Sequence, residues 1–117
     1  GRMTPGSYVE PIEARVVIVA EDDDGRVAGF AQLNPREGIV QACYVDPDFN
    51  GRGVGRALMA AIEDQARAHG RTALLLDASL NAIGFYASLG WHEEARAHHE
   101  LAPGAWLDCA IMTKKIT

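Results

Sequence analysis

Three glycines at alternate positions, Gly51, Gly53 and Gly55, stand between a strand-like segment ending at Tyr44-Val45 and a helix-like segment starting near Val54. No other part of the chain constrains the fold as strongly. Glycine removes Cβ and permits left-handed backbone, so the amides of Asn50-Gly51-Arg52-Gly53-Val54-Gly55-Arg56 can line a concave turn close to a ligand. The turn runs straight into a helix, whose first N–H groups lack intrahelical acceptors and whose dipole is positive at that end. Strand, glycine turn and helix N-terminus in this order suit a phosphate or pyrophosphate.

The remaining sequence supplies a frame for that turn. Arg15 to Ala20 is a β-branched run closed by Glu21-Asp22-Asp23-Asp24-Gly25, a hairpin signal. The three aspartates lack the alternation and the distant Glu of a calcium loop, so a solvated turn is expected. A second strand is expected over 26–33 and a third over 38–45. In the third, Ile39, Gln41, Cys43 and Val45 alternate with Val40, Ala42 and Tyr44, which predicts a central strand covered on both faces. Val54, Leu58, Ala61, Ile62, Gln65 and Ala66 form one stripe at helical spacing, and Gly70 supplies the stop, giving a helix from about Gly53 to His69. A buried strand over 72–78, a short helix capped by Asn81 and ending near Leu89, and two strands over 91–100 and 106–116 complete the chain. Residues 1–14 show no periodicity and are expected to form an extended arm. Residues 15–117 then make one domain.

Composition narrows the classes. The 117 residues are 48% hydrophobic and 23% charged, an ordinary globular balance. A net charge of −5 provides no basic field for nucleic acid and is compatible with a cationic acceptor. No apolar run approaches the ~20 residues that cross a bilayer, and no secretory core follows Met3, so a cytoplasmic protein without membrane association is expected. Cys43 and Cys109 show neither metal nor redox spacing, and no metal is expected.

Three classes of glycine turn remain. A P-loop needs Lys and then Ser or Thr after the glycines, where this chain has Arg56-Ala57. The dinucleotide pattern Gly-x-Gly-x-x-Gly fails at Arg56 from one start and at Leu58 from the other. The third class fits: Asn50-Gly51-Arg52-Gly53-Val54-Gly55 resembles the pyrophosphate loop Gln/Arg-x-x-Gly-x-Gly/Ala of the GNAT superfamily of N-acetyltransferases, with Asn50 departing from the usual first residue. The element order β-β-β-α-β-α-β-β over residues 15–116 is similar to that family's fold from its second strand onward. This fold is α/β in the wider α+β sense, a mixed and mostly antiparallel sheet flanked by helices.

Asn81-Ala82-Ile83-Gly84-Phe85-Tyr86-Ala87-Ser88-Leu89-Gly90-Trp91 also resembles that family, at the segment where an Asn opens the fourth helix and Phe-Tyr precedes a Leu-Gly-aromatic exit. The resemblance implies acetyl-CoA as the acyl donor. Residues 50–56 would hold its pyrophosphate, the backbone of Tyr44 and Val45 and the side chain of Asn81 its pantetheine arm. Tyr86 would be the catalytic residue, protonating or hydrogen-bonding the departing thiolate. The acceptor is expected to be a primary amine of a small molecule or peptide. For the base, Glu37, Gln41, His92, His98 and His99 remain open, because the Glu that some members carry is Ile39 here. Cys43 has no His at a defined spacing to make it an acyl-enzyme nucleophile. The family's first strand and first two helices are not visible in the sequence. Two alternatives follow: a CoA-binding module without catalysis, or a subunit whose acceptor site a partner chain or a second copy completes.

Overall fold

The computed structural model describes residues 4–9 and 15–116. Strands β1 (Thr4–Val9), β2 (Val16–Glu21), β3 (Val27–Asn34) and β4 (Ile39–Val45) form an antiparallel meander. Helix α1 (Val54–Ala68) carries the chain to β5 (Ala73–Ser79), and α2 (Ile83–Ser88) leads into the hairpin of β6 (His92–Ala102) and β7 (Ala105–Lys115). One sheet contains them all, in the order β1-β2-β3-β4-β5-β7-β6, with β4 and β5 as its parallel pair. The expected order therefore appears from β2 onward. Part of the expected arm is β1, which pairs along β2 from Thr4 opposite Glu21 to Val9 opposite Val16 and so covers that edge.

Local chemistry explains the turns. The Asp22 carboxylate accepts from the amides of Asp24 and Arg26, each at 2.9 Å, and so shapes the β2–β3 turn from within. Helix α1 buries Val54, Leu58, Met59, Ile62, Glu63 and Ala66 against β2, β3 and β4. Leu74 and Leu76 from β5, Met112 from β7 and Tyr86 from α2 join the same core. Among the described residues, Glu63, 8% exposed, is the charged residue buried there. Lys114 on β7 reaches it at 3.0 Å, and Arg67 spans the same region by donating to the Ile116 carbonyl at 2.6 Å.

Strand β4 departs from simple alternation. Val40 lies opposite Leu33 and Ala42 opposite Gln32, so Gln41 has no partner residue on β3. This bulge reverses the parity beyond it: Val40, Cys43 and Val45 all pack toward the helix-covered core. Tyr44 turns the other way and is 50% exposed, its ring 5.8 Å from that of Phe30. The strand is thus not covered on both faces as its composition predicts.

Candidate functional site

The glycine turn has the form read from the sequence, but its glycines divide the work. Gly51 (φ 76°) and Gly53 (φ 77°) are left-handed, a conformation that costs other residues about 1–2 kcal/mol. A Cβ at either would meet no atom within 4 Å, so open space rather than packing lies beside them. Gly55 is helical, and a Cβ there would come within 2.9 Å of Phe85 Cζ. Its role is to let the start of α1 approach α2. Gly53 is the N-cap of α1 and no side chain caps the helix, which leaves the first amides of the helix available to an anion.

These elements enclose a cavity of about 420 Å³ lined by Val45, Phe49, Asn50, Gly51, Gly53, Val54, Gly55, Arg56 and Tyr86, with Cys43, Ala82 and Phe85. A second cavity of about 190 Å³ lies between β4 and β5, with Gln41, Asp77 and Ser79 on its walls. The gap exists because β4 and β5 pair only at Ile39–Leu75 and Val40–Leu76 and then part. The Gln41 bulge sits at the point of parting. Cys43, Ala82 and Tyr86 line both cavities, so the two spaces meet at these residues.

Tyr86 is held at this junction by edge-on contacts with Phe85 (centroids 5.1 Å apart) and Trp91 (6.0 Å). Its phenol lies close enough to the Cys43 thiol for each group to act on the other's titration. Burial, with the charge and hydrogen bond of Cys43 in addition, pushes the phenol up to about 12. Burial also pushes the Cys43 thiol up against the opposing effect of that hydrogen bond, so Cys43 is held as a thiol and not as a nucleophilic thiolate.

Other sequence candidates are distributed differently. Arg52 lies with its guanidinium 5.3 Å from the Phe49 ring, outside the cavity lining. A Cβ on Gly29 would meet the Tyr44 carbonyl at 2.4 Å, which directs that carbonyl toward β3 rather than into the gap. Asn81 sits within a 3₁₀ turn, Leu80–Ala82, and does not cap α2, which starts without a side-chain cap. Among the possible bases, Gln41 lines the second cavity and accepts from Gln32 at 2.8 Å. His98 is bonded to Asp108 and stacked on Trp106. Two juxtapositions escaped the sequence reading. Cys43, weighed there only as a nucleophile, stands beside Tyr86 because of the bulge. His99, one of the candidate bases, clusters with Asp77 and Cys109, the ligand-type atoms of all three lying within 4.8 Å of one another.

Comparison with known proteins agrees with this geometry. The Acetyltransferase (GNAT) domain family matches residues 13–93. A mycothiol acetyltransferase of Clavibacter michiganensis is 40% identical over 77 residues, covering 60% of this chain and 25% of the relative. The chain spans about half the length of several other curated acetyltransferases. Among solved structures, a GCN5-related N-acetyltransferase from Rhodopseudomonas palustris superposes with a TM-score of 0.78 at 36% identity, over 86% of this chain and 61% of that one. An acetyltransferase from Salmonella typhimurium, solved with acetyl-CoA, gives a TM-score of 0.73 at 26% identity, over 91% and 67%. Among the described residues, no helix is long and apolar enough to cross a membrane.

Proposed function

Because the chain belongs to the GNAT acetyltransferase family, we propose that it moves the acetyl group of acetyl-CoA directly to a primary amine. The observation that carries this reading is the meeting of two cavities at Tyr86 and Cys43, one beside an uncapped helix N-terminus and one opening between the parted strands. The diphosphate binds amides of residues 51–56, with Asn50 and Arg56 beside it. The arm follows the β4 wall of the larger cavity, from Val45 toward Cys43. Val45 stands on this wall and Ala82 on the opposite one, while Tyr44, whose carbonyl turns toward β3, and Asn81 lie outside the lining of both cavities. The thioester then reaches the junction, and the amine enters through the gap.

Burial pushes the Tyr86 phenol up to about 12, so it keeps its proton throughout the neutral range. Tyr86 therefore acts as a hydrogen-bond donor to the sulfur as its charge develops, always protonated at neutral pH. Titration calorimetry with acetyl-CoA, followed by thiol release over a panel of amines, tests the proposal. Binding with amine-dependent release is expected. Absence of acetyl-CoA binding would overturn it.

A partner-completed acceptor site is the second reading. It is favoured by the sheet face turned away from both helices, where Phe30 and Tyr44 remain 38% and 50% exposed. Activity that rises faster than linearly with chain concentration would support this version.

A further inference from the structure

The cluster of Asp77, His99 and Cys109 is built from three neighbouring strands, β5, β6 and β7, with β7 in the middle. Cys109 stands opposite Ser79 on one side and Ala97 on the other. Asp77 and His99 are each two residues along from those partners, so all three side chains share one sheet face. Cys109 is only 5% exposed, whereas Asp77 and His99 are open to solvent. Asp77 also lines the smaller cavity, whose far wall holds Cys43 and Tyr86. Asp77 thus sets a carboxylate on the wall of the smaller cavity with the His99 imidazole beside it, outside the lining, and a protonated amine requires such a pair: an anion to hold it and a group to relieve it of a proton.

We propose that Asp77 and His99 form the receiving end of the acceptor site, taking slender primary alkylamines in their ammonium form. The inference rests on the acetyl-transfer reading above. Asp77 holds the R–NH₃⁺ group, and His99 accepts one proton to give R–NH₂. The nitrogen lone pair then forms the N–C bond to the thioester carbonyl while the C=O π pair moves onto oxygen. When the C=O bond re-forms, the C–S bond breaks and its electron pair leaves on sulfur. The second nitrogen proton passes to that thiolate, giving amide and free thiol, and His99 releases its proton to water. The small cavity sets the substrate class: an amino group on an unbranched chain can reach the junction through it, and one on a bulky ring cannot. The net charge of −5 adds a general attraction for cations.

Steady-state rates with n-butylamine and acetyl-CoA, together with calorimetric binding of acetyl-CoA, test the assignment on the whole chain. Asp77→Asn is expected to raise KM for the amine at least tenfold, and His99→Gln to lower kcat at least tenfold, with acetyl-CoA affinity within twofold of wild type in both. A second readout needs no turnover: n-butylamine added to the CoA-loaded chain should shift the NMR signals of the His99 ring, and Asp77→Asn should abolish that shift. Unchanged KM in Asp77→Asn, or no shift at His99 in the wild type, overturns the proposal. So does zinc binding that n-butylamine fails to displace and that Cys109→Ser removes, since the cluster would then be a metal site. Loss of acetyl-CoA binding in the wild type would instead sink the acetyl-transfer reading, a separate result.

Discussion

Tyr86 on α2 and Cys43 on β4 meet at the junction of the two cavities, phenol hydroxyl beside thiol. The contact places an O–H group next to a protein sulfur at the position proposed for the sulfur of the acyl donor. It depends on the bulge at Gln41, without which Cys43 would point to the opposite face of the sheet.

Replacing Tyr86 with Phe removes the donor while leaving the aromatic contacts with Phe85 and Trp91 in place. Turnover is expected to fall roughly 10- to 100-fold, the worth of one hydrogen bond to developing charge. Acetyl-CoA affinity should stay near wild type, since the phenol lies at the thioester end and not at the diphosphate. Turnover equal to wild type would return Tyr86 to a packing role.

The raised phenol has a consequence for stability. Tyr86 titrates near 12 in the folded chain and near 10 when unfolded, so the folded state holds the proton more tightly. That contribution is complete below pH 10 and is lost as pH rises toward 12; its size is on the order of 2–3 kcal/mol. Urea unfolding between pH 9 and 11.5 should show the loss, and Tyr86→Phe should flatten it. In the same series, ultraviolet titration of tyrosinate should lose its highest-pH component in the variant. An unchanged high-pH component would contradict the assignment.

What could be read from the sequence followed from how local each signal is. The glycine turn and α1 were legible because a helical stripe, a cap and a stop all lie within one short stretch, and Gly53 and His69 are indeed the caps of the helix. The bulge at Gln41 was not, because it is set by pairing with β3 and by parting from β5, neither of which an alternating pattern records. Asn81 was misplaced as a helix cap because a 3₁₀ turn intervenes before α2. Asp77, His99 and Cys109 are far apart in the chain and meet only because the strand order is β5-β7-β6. Their proximity belongs to topology, which no spacing in the sequence expresses.

Gly53 separates strain from charge in the phosphate turn. Gly53→Ala adds a Cβ to a left-handed residue, costing about 1–2 kcal/mol, but meets no neighbouring atom. Acetyl-CoA binding should weaken by no more than about thirtyfold, the most that strain can take from it. Gly53→Glu adds a carboxylate to the same open space, where it would oppose a diphosphate directly, and binding should be lost in calorimetry. Equal affinity in the two variants would mean that the diphosphate lies elsewhere.

Lys114 tests the tie between α1 and β7. Its ammonium approaches the buried Glu63 carboxylate at 3.0 Å, whereas the ion-pair contact of Arg67 with the same carboxylate is longer, at 3.4 Å. Lys114→Met keeps the aliphatic stem and removes the charge, leaving Glu63 with the weaker partner. The loss should be about 1–3 kcal/mol, the cost of an undersatisfied buried group, read as a lower urea midpoint with an unchanged slope. Pairing Lys114→Met with Glu63→Met should recover part of that loss, because two apolar groups in contact remove the stranded charge. A double variant whose loss equals the sum of the two single losses would show that Glu63 is held chiefly by Arg67 and not by Lys114.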